Sequence, residues 1–246
     1  VLIQSSINSF GDVFMSGNAA ASNIEGFVYV SMNAFHQTAV NYIGQNVGAG
    51  KAERLKPGVK AMLKLGLISS TVLVGAILLF GHNIIGWFTQ TELTMQLGVQ
   101  GLQTLAFGYI CFSVSQVLQG TMRGAGETKV PMYIGLCVNV LNAGLNFLLI
   151  FGHLGFPAMG VAGAAVATVI GQVIAFILAL ILNHKCNEEV HLKLRSFRPN
   201  GKMMGKILGI GVPSVIMVAI GSVMYFYFNK ILMSFEAVTE GLGETA

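Results

Sequence analysis

Charge is what this chain of 246 residues has least of: charged side chains make up 10% of it, against a usual share of about 25%. A soluble domain of this length could bury a large core, but its surface would need charge that is not there. The three cysteines, Cys111, Cys137 and Cys186, are an odd number without C-x-x-C spacing. They read as small hydrophobes, Cys111 and Cys137 inside buried apolar runs. No G-x-S-x-G and no H-E-x-x-H occurs, and no carboxylates pair within an apolar run. Hydrolytic catalysis therefore has no visible footing, and an enzyme is not expected. No signal peptide is visible and the chain opens on Val1, so a piece of a longer protein is expected.

What is present in quantity is apolar. Hydrophobic residues make up 54% of the chain and the mean hydropathy is +0.70. The net charge of +4 would suit a nucleic-acid partner if the basic residues formed a continuous face. Instead, thirteen of the fourteen lie in three short segments, Lys51 to Lys64, Arg123 to Lys129 and Lys185 to Lys206. Basic clusters alternating with apolar runs are the positive-inside pattern of a multi-pass membrane protein, with no nucleic-acid partner implied.

Runs of about 20 apolar residues mark membrane helices. Six are expected: Asn23 to Val47, Gly58 to Gly81, Gly98 to Met122, Val130 to Gly152, Val161 to His184 and Met203 to Phe235, the last with Pro213 near its start. Residues 1–16 read as the tail of an earlier helix. The fold class is all-α, a polytopic bundle over residues 1–184, a polar linker over 185–202, and a first helix of a further lobe with a polar tail over 203–246. The loops holding the basic clusters should be cytoplasmic, in the cell's inner or plasma membrane. The two loops without Lys or Arg should face outward, with Trp87 and Phe88 as interfacial aromatics.

One stretch between two apolar runs, "QGTMRGAGETKVPMY", packs three glycines against charge. A phosphate loop would need a Gly-Lys-Ser/Thr ending between a strand and a helix, and this stretch has neither. A tight cytoplasmic turn accounts for its residues. Arg123 and Lys129 hold it inside, Gly124 and Gly126 permit positive φ, Thr128 is an N-cap, and Pro131 is tolerated in the first helical turn.

Polar side chains within the apolar runs ask for a reason. Asn139, Asn142 and Asn146 recur on one helical face, as do Asn33, Gln37 and Asn41 with His36 beside them. Each stripe reads either as interhelical hydrogen bonding or as the lining of a wet cavity for a cation or polar substrate. Glu25 is an acid at an outer helix boundary or a protonatable coupling group. Gly163, Ala167, Gly171 and Ala175 form a small-residue packing stripe, with Thr168 and Gln172 as its polar exceptions. His82 and His153 have no carboxylate or Cys partners that would make a metal site.

These residues carry a resemblance. "MRGAGETKVPM" followed by "VNVLNAGLNFLLIFGHLGFPAMGVAGAAVATVIGQ" resembles the fourth to sixth helices of multidrug and toxic compound extrusion (MATE) transporters, and "IGQNVGAGKAERLK" and "LGIGVPSVIM" resemble further family segments. The stretch from "SSINSFGDVF" to "IGQN" is more similar to the family's second lobe, and "RGAGETKVPM" onward to its first. The resemblance implies one lobe of a two-lobed bundle, about helices two to seven, without most of the partner lobe. It implies export of small organic, often cationic, compounds by alternating access. The coupling ion would be a proton or sodium, with no other cofactor, and the partners would be the lipid bilayer and the remaining half of the transporter. Asn139, Asn142, Asn146, Thr168 and Gln172 would face the lobe cavity. A lipid-linked-precursor flippase and a non-transporting membrane scaffold are the alternatives.

Overall fold

A long apolar segment in a bilayer can satisfy its backbone N–H and C=O groups within itself only as a helix. The computed structural model describes residues 12–86 and 91–186, with scattered helical positions between Gly201 and Met224. The described residues form five long helices: α1 (Asp12–Gly48), α2 (Leu55–Gly86), α3 (Glu92–Gly124), α4 (Lys129–Phe151) and α5 (Gly160–Cys186). The described residues include no strand. Four helices, α2 to α5, are long and apolar enough to cross a membrane. α1 is the longest but falls outside that set, because polar residues from Asn33 to Asn46 interrupt it.

α3 is the hub, packed against α1, α2 and α5, while α4 rests mainly on α5. Glycine makes the α1–α3 contact close. A Cβ on Gly120 would lie 2.5 Å from the His36 carbonyl oxygen, and one on Gly124 would lie 2.8 Å from the Val40 oxygen. Beside this contact the His36 ring Nδ1 lies 3.1 Å from the Gln116 carbonyl, and because a carbonyl only accepts, Nδ1 carries the proton and donates. The small-residue stripe of α5 packs as expected: Gly163 sits on the Leu149 backbone of α4 and Gly171 against Asn142 and Val138. The α1–α2 and α3–α4 turns and the end of α5 place Lys51, Arg123, Lys129 and Lys185 at one end of the bundle, its basic end.

Several expectations change. Residues 12–16 belong to α1 and are not the tail of a separate helix, so Glu25 stands well inside a helix and not at its N-terminus. Gly124 is helical and serves close packing; of the two turn glycines only Gly126 has positive φ, at 94°. Thr128 occupies the N-cap position of α4 but makes no capping bond. Glu127 does this work: its Oε1 accepts from the Lys129 and Val130 backbone N–H groups at 3.0 and 3.2 Å. Pro131 is buried in the first turn of α4, as its missing N–H allows. Cys137 is exposed and not buried, because α4 is covered mainly by α5 and its outer face carries no neighbour among the described residues. Trp87, Phe88, most of the 185–202 linker and the tail after Met224 lie outside the described residues.

Candidate functional site

A cavity of about 370 Å³ opens between α1, α3, α4 and α5. Five of the expected residues line it: Glu25 from α1, Asn139 and Asn142 from α4, and Thr168 and Gln172 from α5. They converge because α4 and α5 approach through Gly171, where a Cβ would lie 3.7 Å from Asn142 Nδ2.

Asn146 lies behind this wall. It is buried, and its Nδ2 donates to the Asn142 carbonyl at 2.8 Å and to Asn142 Oδ1 at 2.7 Å. Asn146 thereby fixes the rotamer of Asn142 without lining the cavity. Asn33, Gln37 and Asn41 are half-buried on α1 and do not line it either. The three-residue stripe of α1 therefore does not join the three-residue stripe of α4.

α3 supplies what the sequence reading missed. Ser115 and Gln119 line the cavity, joined by a Gln119 Nε2 to Ser115 Oγ bond of 2.9 Å. The rule that singled out the asparagines of α4 applies equally to Phe112, Ser115 and Gln119, which recur on one face of α3. Tyr29 of α1 and Phe112 of α3 stack at the cavity wall with ring centroids 5.5 Å apart.

The lining thus offers a carboxyl group, carboxamide and hydroxyl oxygens and two aromatic faces, and among the described residues it includes no Lys or Arg. Oxygen donors suit a hard inorganic cation, a carboxylate suits a proton, and aromatic faces attract an organic cation. Gln172 Oε1 and Asn146 Oδ1 are buried with no hydrogen-bond partner among the described residues. Neither oxygen opens onto the cavity space: Asn146 lies behind the wall, and Gln172 Oε1 is seated against Gly108 of α3. No group of three or more metal-ligating His, Cys, Asp or Glu occurs among the described residues; His153 stacks on Phe147 instead, at 4.5 Å.

The sequence profile of the MatE family matches residues 1–148. The chain belongs to the MatE family. It is 29% identical over 221 residues to the "Probable multidrug resistance protein NorM" of Thermotoga maritima, a match covering 89% of this chain and 47% of that protein. The protein of the same name from Geobacillus kaustophilus is also 29% identical, over 231 residues, with 89% and 49% covered. Among solved structures, the fold is similar to a MATE bound to MaD3S (TM-score 0.84, 22% identity, 95% of this chain and 52% of that one). It is also similar to a MOP superfamily transporter from Pyrococcus furiosus (TM-score 0.82, 20% identity, 93% and 50% covered). The chain spans about half the length of the curated MatE relatives it matches.

Proposed function

We propose that the chain forms part of a cation-coupled antiporter that exports small organic cations by alternating access. The observation that carries this reading is the convergence of Glu25, Asn139, Asn142, Thr168 and Gln172 with the Tyr29–Phe112 pair around one cavity, lined among the described residues by no basic side chain. Glu25 and the carboxamides hold the coupling ion, a proton or sodium, and the aromatic pair receives the organic cation. Ion and drug compete for one negative site, so entry of the first drives release of the second. The names of the NorM relatives, which are multidrug resistance proteins, support the substrate class.

The basic end faces the cytoplasm in this reading, and residues 1–184 act as one lobe whose partner half supplies the opposing wall. The 185–202 linker joins this lobe to the helix that begins near 203. A lipid-linked-precursor flippase would want a larger and more basic cavity. A scaffold would leave its polar stripes paired off rather than around a void.

Inside-out membrane vesicles carrying the chain with its partner half test the reading. A fluorescent lipophilic cation should accumulate when a proton or sodium gradient is imposed outward from the lumen. Asn142→Leu and Glu25→Gln should each lower the rate by about tenfold, the scale of one lost hydrogen bond to a charged group. Accumulation that ignores both gradients, or survives both substitutions in protein present at wild-type levels, would sink the proposal.

A further inference from the structure

One buried polar group beside the polar cavity is not among its lining residues. Tyr109 of α3 is 2% exposed, and its hydroxyl is buried with no hydrogen-bond partner among the described residues. Its ring sits in the apolar cluster that holds Ala21, Ile24 and Val28 of α1 and Ala165 of α5. A phenylalanine would fill that space without bringing a polar atom into it. A buried O–H left without an acceptor is costly, so the hydroxyl asks for a partner.

α1 and α3 run parallel, and their contacts fix the register. Phe112 stacks on Tyr29, the Gln116 carbonyl meets His36, Gly120 lies against His36 and Ala39, and Gly124 lies against Val40 and Ile43. One turn back from Phe112 is Tyr109, and one turn back from Tyr29 is Glu25. The two residues therefore share a layer of the bundle. Ile24 and Val28, on either side of Glu25, pack in the same cluster as the Tyr109 ring. The Glu25 charge acts directly on the Tyr109 hydroxyl. Glu25 is half-buried at the cavity, and no described residue gives its carboxyl a hydrogen bond.

Other partners are turned away from this hydroxyl. Gly108, about 100° round α3 from Tyr109, faces the Gln172 carboxamide of α5. Around the pair α1 supplies Tyr29, α4 Asn139 and Asn142, and α5 Thr168 and Gln172, so Glu25 is the one carboxyl of the cavity among the described residues. α2 adds apolar residues to the Tyr109 cluster, Ile77 and Ile85 among them, and its His82 is exposed. His36 and Arg123 lie further along, toward the basic end.

We propose that Tyr109 is a positioning residue for Glu25: its O–H donates to the ionised carboxylate and lets go when the carboxyl takes up a proton. An ionised carboxylate only accepts, which matches a lone buried donor, and such charge-assisted bonds are the strong ones. A proton arriving on Glu25 removes the charge that draws the hydroxyl, and the phenolic O–H is not consumed. The bond therefore belongs to the ionised form of the site, which receives the organic cation, and it opposes the proton-loaded form. Tyr109 thus sets how acidic the medium must be before a proton displaces the organic cation. This role rests on the proposed function in its proton-coupled form, whereas the pairing of the two side chains does not.

Infrared spectroscopy of the chain with its partner half in nanodiscs reads the pairing without transport. The protonated-carboxyl C=O band that disappears in Glu25→Gln belongs to Glu25, and its loss with rising pH gives a midpoint. Tyr109→Phe keeps the ring and breaks no hydrogen bond of the described residues, so the fold should hold. It should move the midpoint to higher pH by about one to two units, the scale of one hydrogen bond to a charged group. The acidic limb of dye uptake into inside-out vesicles should move the same way. With Glu25→Gln already present, Tyr109→Phe should change uptake no further. A midpoint that Tyr109→Phe leaves in place would overturn the pairing, as would the lack of any band that Glu25→Gln removes. A shifted band in a protein without gradient-driven uptake would overturn the transport role and leave the pairing standing.

Discussion

The carboxamide of Gln172 on α5 occupies the space that a Cβ on Gly108 of α3 would need. Gly108 is buried, and its missing side chain is the notch that holds Gln172 at the edge of the polar cavity. Alanine at this position meets the end of a flexible side chain and not a fixed backbone, so the fold yields by moving Gln172. Gly108→Ala is expected to cost at most about 1–3 kcal/mol of stability. Its larger effect should fall on ion-coupled dye uptake, because the displaced carboxamide enters the cavity. Gly75→Ala, where a Cβ meets open space, is the control and should leave uptake unchanged. Thermal denaturation and vesicle uptake, measured together, check this; uptake that follows the loss of folded protein alone would contradict it.

Asn142 and Asn146 differ in what they touch, although they sit one turn apart on the same face. Asn142 lines the cavity, and Asn146 is buried behind it as the donor that fixes Asn142. In a background lacking Cys111, Cys137 and Cys186, Asn142→Cys should react with a small water-soluble thiol reagent in native membranes, and a cationic dye should slow the reaction. Asn146→Cys should stay unreactive under the same conditions. Equal reactivity at both positions would mean that the cavity reaches one turn deeper than the geometry places it.

The helical bundle was legible because its signals are local: apolar runs of membrane length, glycines at turns, and basic residues grouped in alternate loops. The polar faces of α4 and α5 were legible for the same reason, since periodicity along one helix shows which residues share a stripe. Which stripes meet is a property of packing, and no single helix encodes it. Asn33, Gln37 and Asn41 are as regular as Asn139, Asn142 and Asn146, yet α1 turns Glu25 and Tyr29 to the cavity instead. Gly124 reads as a turn residue from its position, and only the neighbouring α1 backbone reveals it as a contact residue. Glu127 was passed over because a residue before the cap position is rarely the one that caps.

Two buried glycines of α3 should respond in opposite ways to the same change. A Cβ on Gly120 would meet the His36 carbonyl oxygen at 2.5 Å and the Ala39 Cβ at 2.9 Å, and neither can move without moving α1. A Cβ on Gly101 meets nothing within 4 Å. Gly120→Ala should therefore destabilise by about 1–3 kcal/mol through overpacking. Gly101→Ala should be neutral or stabilising by about 0.5–1 kcal/mol, because alanine loses less backbone entropy in a helix. Melting temperatures of the two variants in the same detergent decide the matter, and a drop of equal size in both would show that the α1–α3 contact is not what Gly120 serves.

The start of α4 offers a contrast that needs no transport assay. Glu127 Oε1 accepts from the backbone N–H groups of Lys129 and Val130, whereas the Thr128 side chain caps nothing. A carboxylate here also faces the positive end of the helix dipole. Glu127→Ala should cost about 1 kcal/mol, the scale of a lost N-cap. Thr128→Ala should cost close to nothing, although Thr128 holds the position at which a capping side chain is usually found. Hydrogen exchange separates the two directly. The Lys129 and Val130 amides should exchange faster in Glu127→Ala and at the native rate in Thr128→Ala, and the reverse order would return the capping role to the threonine.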